Sequence, residues 1–185
     1  IRLIIRLLLL FAFLDISNAK KLTLDDAVLN SPFKIASMGW FTSFPNENSI
    51  LIRGEGTKWK EWYKVDLIKN DTVLFIDSLA LNWKGTDLFV NTISFSENGR
   101  KLLLSIDKEK IWRHSFKATF FTYDIFKKRL SPVSDDNKKL RNVKFSPNSE
   151  FVSYIRNDNN IYVFNLKTNR ERQLTRTGSE TVSNG

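Results

Sequence analysis

The chain has no cysteine, one histidine and only seven glycines in 185 residues. Without cysteine there is no disulfide framework and no thiolate chemistry, although a domain with a large enough core does without disulfides in any compartment. A single histidine and no thiol leave a zinc site almost no ligands. No Gly-x-Ser-x-Gly elbow occurs, so nothing here lifts a strained serine into a hydrolase site. Asp107, His114 and Ser115 do not replace it, because neighbours on an extended segment point to opposite faces. No long apolar run is present either: the uninterrupted stretch from Leu7 to Leu14 is too short for a membrane span of about 20 residues.

What is present favours strands. Fifteen Phe, five Trp and four Tyr accompany a hydrophobic content of 42%, which suits a folded β domain and excludes a disordered tail. The formal charge of +9 invites phosphate partners. The 29 basic residues are spread along the chain among 20 acids, however, whereas a nucleic-acid footprint gathers on one face, so no nucleic-acid partner is expected.

The chain starts with Arg2 and Arg6 ahead of the apolar stretch and continues to Ser17-Asn18-Ala19. That is the layout of a secretory signal peptide cut after Ala19, so residues 1–19 are read as a signal peptide and the protein as exported, periplasmic or secreted. The lack of an initiating methionine suggests further residues upstream. Residues 20–38 form a lead-in with a short helix from Thr23 to Asn30, capped by Thr23 and Asp26 and stopped at Pro32. Asp25 and Asp26 are better placed to favour the positive end of that helix than to act as ligands or as an acid/base pair.

Residues 39–185 carry a repeat. Phe95-Ser-Glu-Asn-Gly-Arg-Lys-Leu-Leu-Leu104 superposes without a gap on Phe145-Ser-Pro-Asn-Ser-Glu-Phe-Val-Ser-Tyr154, a shift of 50, and Pro45-Asn46 with Ile50 and Ile52 is a fainter copy, a shift of 102. Each unit reads as strand, tight turn, strand. It continues into an aromatic strand closed by an acid or amide: Tyr63 to Leu67, Phe121 to Ile125, and Tyr162 to Leu166. A polar turn and a fourth strand follow. Four antiparallel strands in about 40 to 50 residues is the arithmetic of a propeller blade. The fold class expected is therefore all-β, a partial β-propeller of about three four-stranded antiparallel blades. A jelly roll is the competing architecture, but it does not require the turn sequence to recur in register.

The repeat also shows where regularity fails. From the second strand to the closing acid or amide there are 12 residues in the first unit (Gly54 to Asp66), 18 in the second (Ile106 to Asp124) and 9 in the third (Arg156 to Asn165). The excess falls on Asp107 to Lys117, which carry Trp112-Arg113-His114-Ser115; Ile111 to Ile125 read as an irregular loop feeding a β-strand, and insertions in repeats map to loops, often on the binding face. Arg113 has two readings: a planar guanidinium shielded by Trp112 that grips a carboxylate or peptide carbonyl, or a structural arginine bridging strands or blades. Lys58-Trp59-Lys60-Glu61-Trp62 can stack bases or sugars, but is better read as a strand with one indole on each side. Asp135-Asp136 and Lys138-Lys139 are a solvated turn.

Trp112-Arg113-His114-Ser115, the phase of Ala118, Tyr123-Asp124, the Phe-Ser-Pro-Asn type turns and the ending Leu174-Thr-Arg-Thr-Gly178 through Asn184-Gly185 resemble the N-terminal propeller of the dipeptidyl peptidase IV family of serine exopeptidases. The resemblance runs from about Leu22 to the last residue. It implies a propeller ahead of an α/β-hydrolase domain, removal of dipeptides from peptide N-termini with proline or alanine second, and no cofactor or metal. It implies that Arg113, supported by Trp112 and His114, contacts the substrate backbone. A glutamate pair that holds the free amino group in the family is expected after Gly185, and the catalytic serine, aspartate and histidine further on. On this reading residues 1–185 alone are inactive and poorly soluble, the partners are peptide N-termini and the α/β-hydrolase domain, and a homodimer is one assembly open to the whole protein. The alternative is a non-catalytic envelope propeller that binds protein partners.

Overall fold

Turns that recur with matching hydrogen bonds explain why the repeat folds as it does. After the first strand of a unit, Ser96 Oγ donates to Asn98 Oδ1 (2.9 Å) and accepts from Lys101 N (3.0 Å), while Arg100 N donates to Asn98 Oδ1 (3.1 Å). Ser146, Asn148, Glu150 and Phe151 repeat this at 2.6, 3.2 and 3.0 Å. The acid or amide that closes the third strand caps the next turn. Asp66 Oδ1 accepts from Ile68 N and Lys69 N, Asp124 Oδ1 from Lys127 N, and Asn165 Oδ1 from Lys167 N and Thr168 N. Four residues beyond each cap the backbone is left-handed, at Asn70, Lys128 and Asn169. Short polar side chains thus supply the turns at fixed positions.

The computed structural model describes Thr23 and residues 39–55, 60–134 and 138–185. The chain divides into two compact units, Ile1–Ser37 and Met38–Gly185. The signal peptide, the helix from Thr23 to Asn30, the Asp25-Asp26 pair, Lys58-Trp59 and Asp135-Asp136 lie outside the described residues or almost wholly so.

The second unit is all-β, as the repeat implies. Its first sheet orders β1 (Phe41–Ser43), β2 (Ser49–Arg53), β3 (Trp62–Asp66) and β4 (Asp71–Ile76) as an antiparallel meander. A 3₁₀ turn over Ser78–Leu81, capped by Asp77, leads to a small hairpin of β5 (Asn82–Trp83) and β6 (Thr86–Asp87). Lys84 and Gly85 both have positive φ there, the combination a two-residue hairpin turn requires. The second sheet holds β7 (Thr92–Phe95), β8 (Lys101–Lys110), β9 (Phe116–Asp124) and β10 (Arg129–Pro132), and the third holds β11 (Arg141–Phe145), β12 (Phe151–Ile155), β13 (Ile161–Asn165) and β14 (Arg170–Gln173).

Alternation along β8 and β9 stacks these sheets. Leu102, Leu104, Ile106, Phe121 and Tyr123 join a core with Leu51, Trp62 and Ile76 of the first sheet. Leu103, Ala118 and Phe120 point the other way, into a core with Val152, Tyr154, Tyr162 and Phe164 of the third. The middle sheet is buried on both faces there, which is why Leu102, Leu103 and Leu104 of β8 follow one another without a polar residue between them.

Candidate functional site

The 10-residue β8 and 9-residue β9 outrun their counterparts in the other sheets, which have five residues each. The irregular loop feeding a strand is found at Ile111 to Ser115, ahead of β9, but the rest of the excess, Asp107 to Lys110 and Phe116 to Lys117, is strand rather than inserted loop. Pairing runs from Lys101 with Asp124 to Ile106 with Thr119, breaks, and resumes at Glu109 with Lys117 and Lys110 with Phe116. Two residues, Asp107 and Lys108, thus face one, Ala118, which is a β-bulge. Asp107 takes φ of 50°, and Lys108 N donates to Asn91 Oδ1 at 3.1 Å.

Beyond the bulge the hairpin is held by charge and rings. Glu109 bridges Lys117 at 3.0 Å and also pairs with Lys139; Lys139 foremost, then Lys117, holds its carboxyl below the usual carboxylate range. Lys108 Nζ sits 4.2 Å from the centre of the Phe116 ring, which stacks on Phe120 at 6.4 Å. Ile111 N and Trp112 N both donate to Ser115 O, at 2.9 and 3.2 Å. Only Ile111 to Ser115 remain as loop.

That closure leaves Trp112, Arg113 and His114 at the tip, all exposed, Trp112 at 76%. Arg113 makes no hydrogen bond, ion pair or ring contact with any described residue, so Trp112 does not stack on it. His114 lines a hollow of about 220 Å³ with Ser115, Phe116 and the first strands of the second and third sheets, including Thr92 and Asn142. Asp107 lines a different cleft, at the rim beside Trp83 and Lys84, so the structure does not gather Asp107, His114 and Ser115 around one hollow. No group of His, Cys, Asp or Glu suited to a metal occurs among the described residues.

Trp62 is 1% exposed and meets Trp40 edge-on at 5.7 Å. Arg53 lies 4.8 Å over its ring and donates to Val90 O, and burial lowers the pKa of this guanidinium. This indole belongs to the core and opens β3, whereas Lys60 and Glu61 of the same segment are not strand.

A second feature at the same end of the sheets involves the ending that carries part of the resemblance, though no local signal foretells its form. After β14 the chain from Thr175 to Asn184 folds over the β12–β13 turn as a strap. Asn160 in that turn, 5% exposed, holds it. An Asn-Asn pair ahead of a strand announces a turn, but not what the turn will hold.

Residues 96–185 match the family model described as the dipeptidyl peptidase IV (DPP IV) N-terminal region. A probable dipeptidyl-aminopeptidase B of Talaromyces stipitatus is 30% identical over 182 residues, covering 91% of this chain and 20% of its own length. Its Neurospora crassa namesake is 27% identical over 181 residues, with 91% and 19% covered. The chain thus spans about a fifth of the length of the curated relatives it matches. Among solved structures, Porphyromonas gingivalis dipeptidyl peptidase 4 shares the fold, with a TM-score of 0.69 at 22% identity, over 85% of this chain and 22% of that one. The family match covers β8 to β14 and the strap, and so includes the Arg113 hairpin, while β7 lies before it. Through residues 96–185 the chain is thus similar to the dipeptidyl peptidase IV N-terminal region.

Proposed function

We propose that this chain is the substrate-recognition propeller of an exported serine-type dipeptidyl peptidase, which releases Xaa-Pro or Xaa-Ala from peptide N-termini with Arg113 orienting the substrate backbone. The observation that carries this is the guanidinium itself. It stands exposed and unpartnered at the tip of a hairpin that only the middle of the three sheets extends. A cation kept free of internal partners is available to a peptide carbonyl or carboxylate, and its planar fork orients what it binds. The names of the relatives supply the reaction class. On this reading the nucleophile and its partners lie in an α/β-hydrolase domain of the whole protein, as the likeness to dipeptidyl peptidases implies.

The test is hydrolysis of a Gly-Pro chromogenic substrate by the whole protein, by its Arg113→Ala variant and by residues 1–185 alone. The whole protein cleaves, the variant is impaired and residues 1–185 are inert. Activity in residues 1–185, or an unimpaired variant, refutes the assignment. Export is checked separately by cell fractionation and by sequencing the mature N-terminus, which this reading places at Lys20.

A further inference from the structure

Asn160 is a buried amide around which the strap is organised. Its Oδ1 accepts from Thr175 Oγ1 (3.1 Å), Gly178 N (2.9 Å) and Asn184 Nδ2 (3.3 Å), while its Nδ2 donates to Asp158 O (3.1 Å). Thr175 Oγ1 in turn accepts from Ile161 N at 2.9 Å. Asn159 adds a second row: its Nδ2 donates to Ser179 O (2.6 Å) and its carbonyl accepts from Asn184 N (3.1 Å). The fit is tight. A Cβ on Gly178 would lie 2.4 Å from Asp158 O and 2.6 Å from Asn159 C and O, all backbone atoms that cannot swing aside. Three donors on one buried acceptor, against a surface with no room for a methyl group, fix the strap more firmly than an exposed loop of this length needs for its own sake.

The position of the strap gives this a use. The turn between second and third strands points to the same end in each sheet, so the β12–β13 turn lies at the end where the β8–β9 hairpin projects. A continuous run of bonds joins the two. Ala118 at the base of the hairpin exchanges backbone hydrogen bonds with Leu140. The next residue, Arg141, donates to Asn159 Oδ1, and Asn159 holds Ser179 and Asn184.

We propose that Asn160 is a positioning residue for peptide binding: it locks the Thr175–Asn184 strap beside the Arg113 hairpin, so that strap and hairpin form two sides of one mouth. The proposal rests on the function proposed above. Asn160 itself touches no substrate. It sets where the exposed face of the strap meets a peptide whose backbone Arg113 holds.

The experiment uses the whole protein and Gly-Pro-p-nitroanilide, with Asn160→Leu removing the acceptor and Gly178→Ala displacing the strap while leaving that acceptor intact. A displaced wall weakens binding, so KM rises on the order of ten-fold in both variants while kcat stays within about two-fold. Leu104→Ala, a cut in the first core, serves as the control for lost stability and leaves KM unchanged. If Asn160→Leu does not fold, Gly178→Ala decides. A KM within two-fold of wild type for folded Gly178→Ala, or the same kinetic change in Leu104→Ala, overturns the inference while the proposed function stands. A wild-type protein that releases no dipeptide overturns both.

Discussion

Ala118 and Leu140 exchange two backbone hydrogen bonds, Ala118 N to Leu140 O at 3.0 Å and Leu140 N to Ala118 O at 2.8 Å, across the boundary between the second and third sheets. The bulge makes this possible. Where Asp107 and Lys108 face Ala118, the ladder between β8 and β9 is interrupted, and the polar groups of Ala118 find their partners on the next sheet instead. One inserted residue therefore does two things: it re-aims the hairpin that carries Arg113, and it welds the base of that hairpin to its neighbour.

The bulge depends on the left-handed backbone of Asp107, with φ of 50°. Asp and Asn tolerate that conformation and β-branched residues do not. Asp107→Val is expected to lose about 1 to 2 kcal/mol of stability, and Asp107→Asn to lose none measurable. Urea denaturation of the two variants checks the difference, and hydrogen exchange at the Ala118 and Leu140 amides checks its place, since their protection falls in the valine variant alone.

Much of this architecture was legible. The Phe-Ser-x-Asn turns, the acid or amide that closes each third strand, and the three blade-like units follow from short polar residues recurring in register; that Asp66, Asp124 and Asn165 cap the next turn comes from the structure. The hairpin was located but not its form. Asp107-Lys108-Glu109-Lys110 has neither the alternation nor the β-branched content of a strand; it is strand because Glu109 meets Lys117 and Lys139, and because Ala118 is tied to Leu140, contacts the local sequence does not announce. The form of the strap was invisible for the same reason, since Asn160 serves donors 15 to 24 positions away.

Neighbouring leucines of β8 report on different cores. Leu103 is 4% exposed and packs toward the third sheet, and Leu104 is fully buried toward the first. Each cut to Ala is expected to cost about 2 to 5 kcal/mol. Because the two side chains share no core, the double variant loses close to the sum, within about 0.5 kcal/mol. A negligible cost for Leu103→Ala in chemical denaturation would mean that the third sheet does not pack there.

Glu109 gives the hairpin a pH dependence of known sign. Lys139 and Lys117 depress its pKa in the folded chain, so its contribution is present above the ordinary carboxylate range and is lost as pH falls through the depressed value. Glu109→Gln should therefore melt below wild type at pH 7 and converge with it in strong acid. High salt narrows the gap at pH 7, because the carboxylate is exposed and its ion pairs are screened. Melting curves at both pH values, with and without salt, test the direction.

Arg113 separates recognition from scaffolding, because its exposed side chain makes no hydrogen bond, ion pair or ring contact with any described residue. In the whole protein, Arg113→Ala is expected to lower kcat/KM toward a Gly-Pro substrate by about 2 to 4 kcal/mol, roughly 30- to 700-fold, with an unchanged melting temperature. Arg113→Lys keeps the charge but not the planar fork. If the guanidinium orients a peptide through paired hydrogen bonds, lysine recovers only a small part of the loss; if it contributes charge alone, lysine recovers most of it. Steady-state kinetics and a thermal melt of the three proteins decide between these outcomes, and a melting temperature that falls together with activity would return Arg113 to the scaffold.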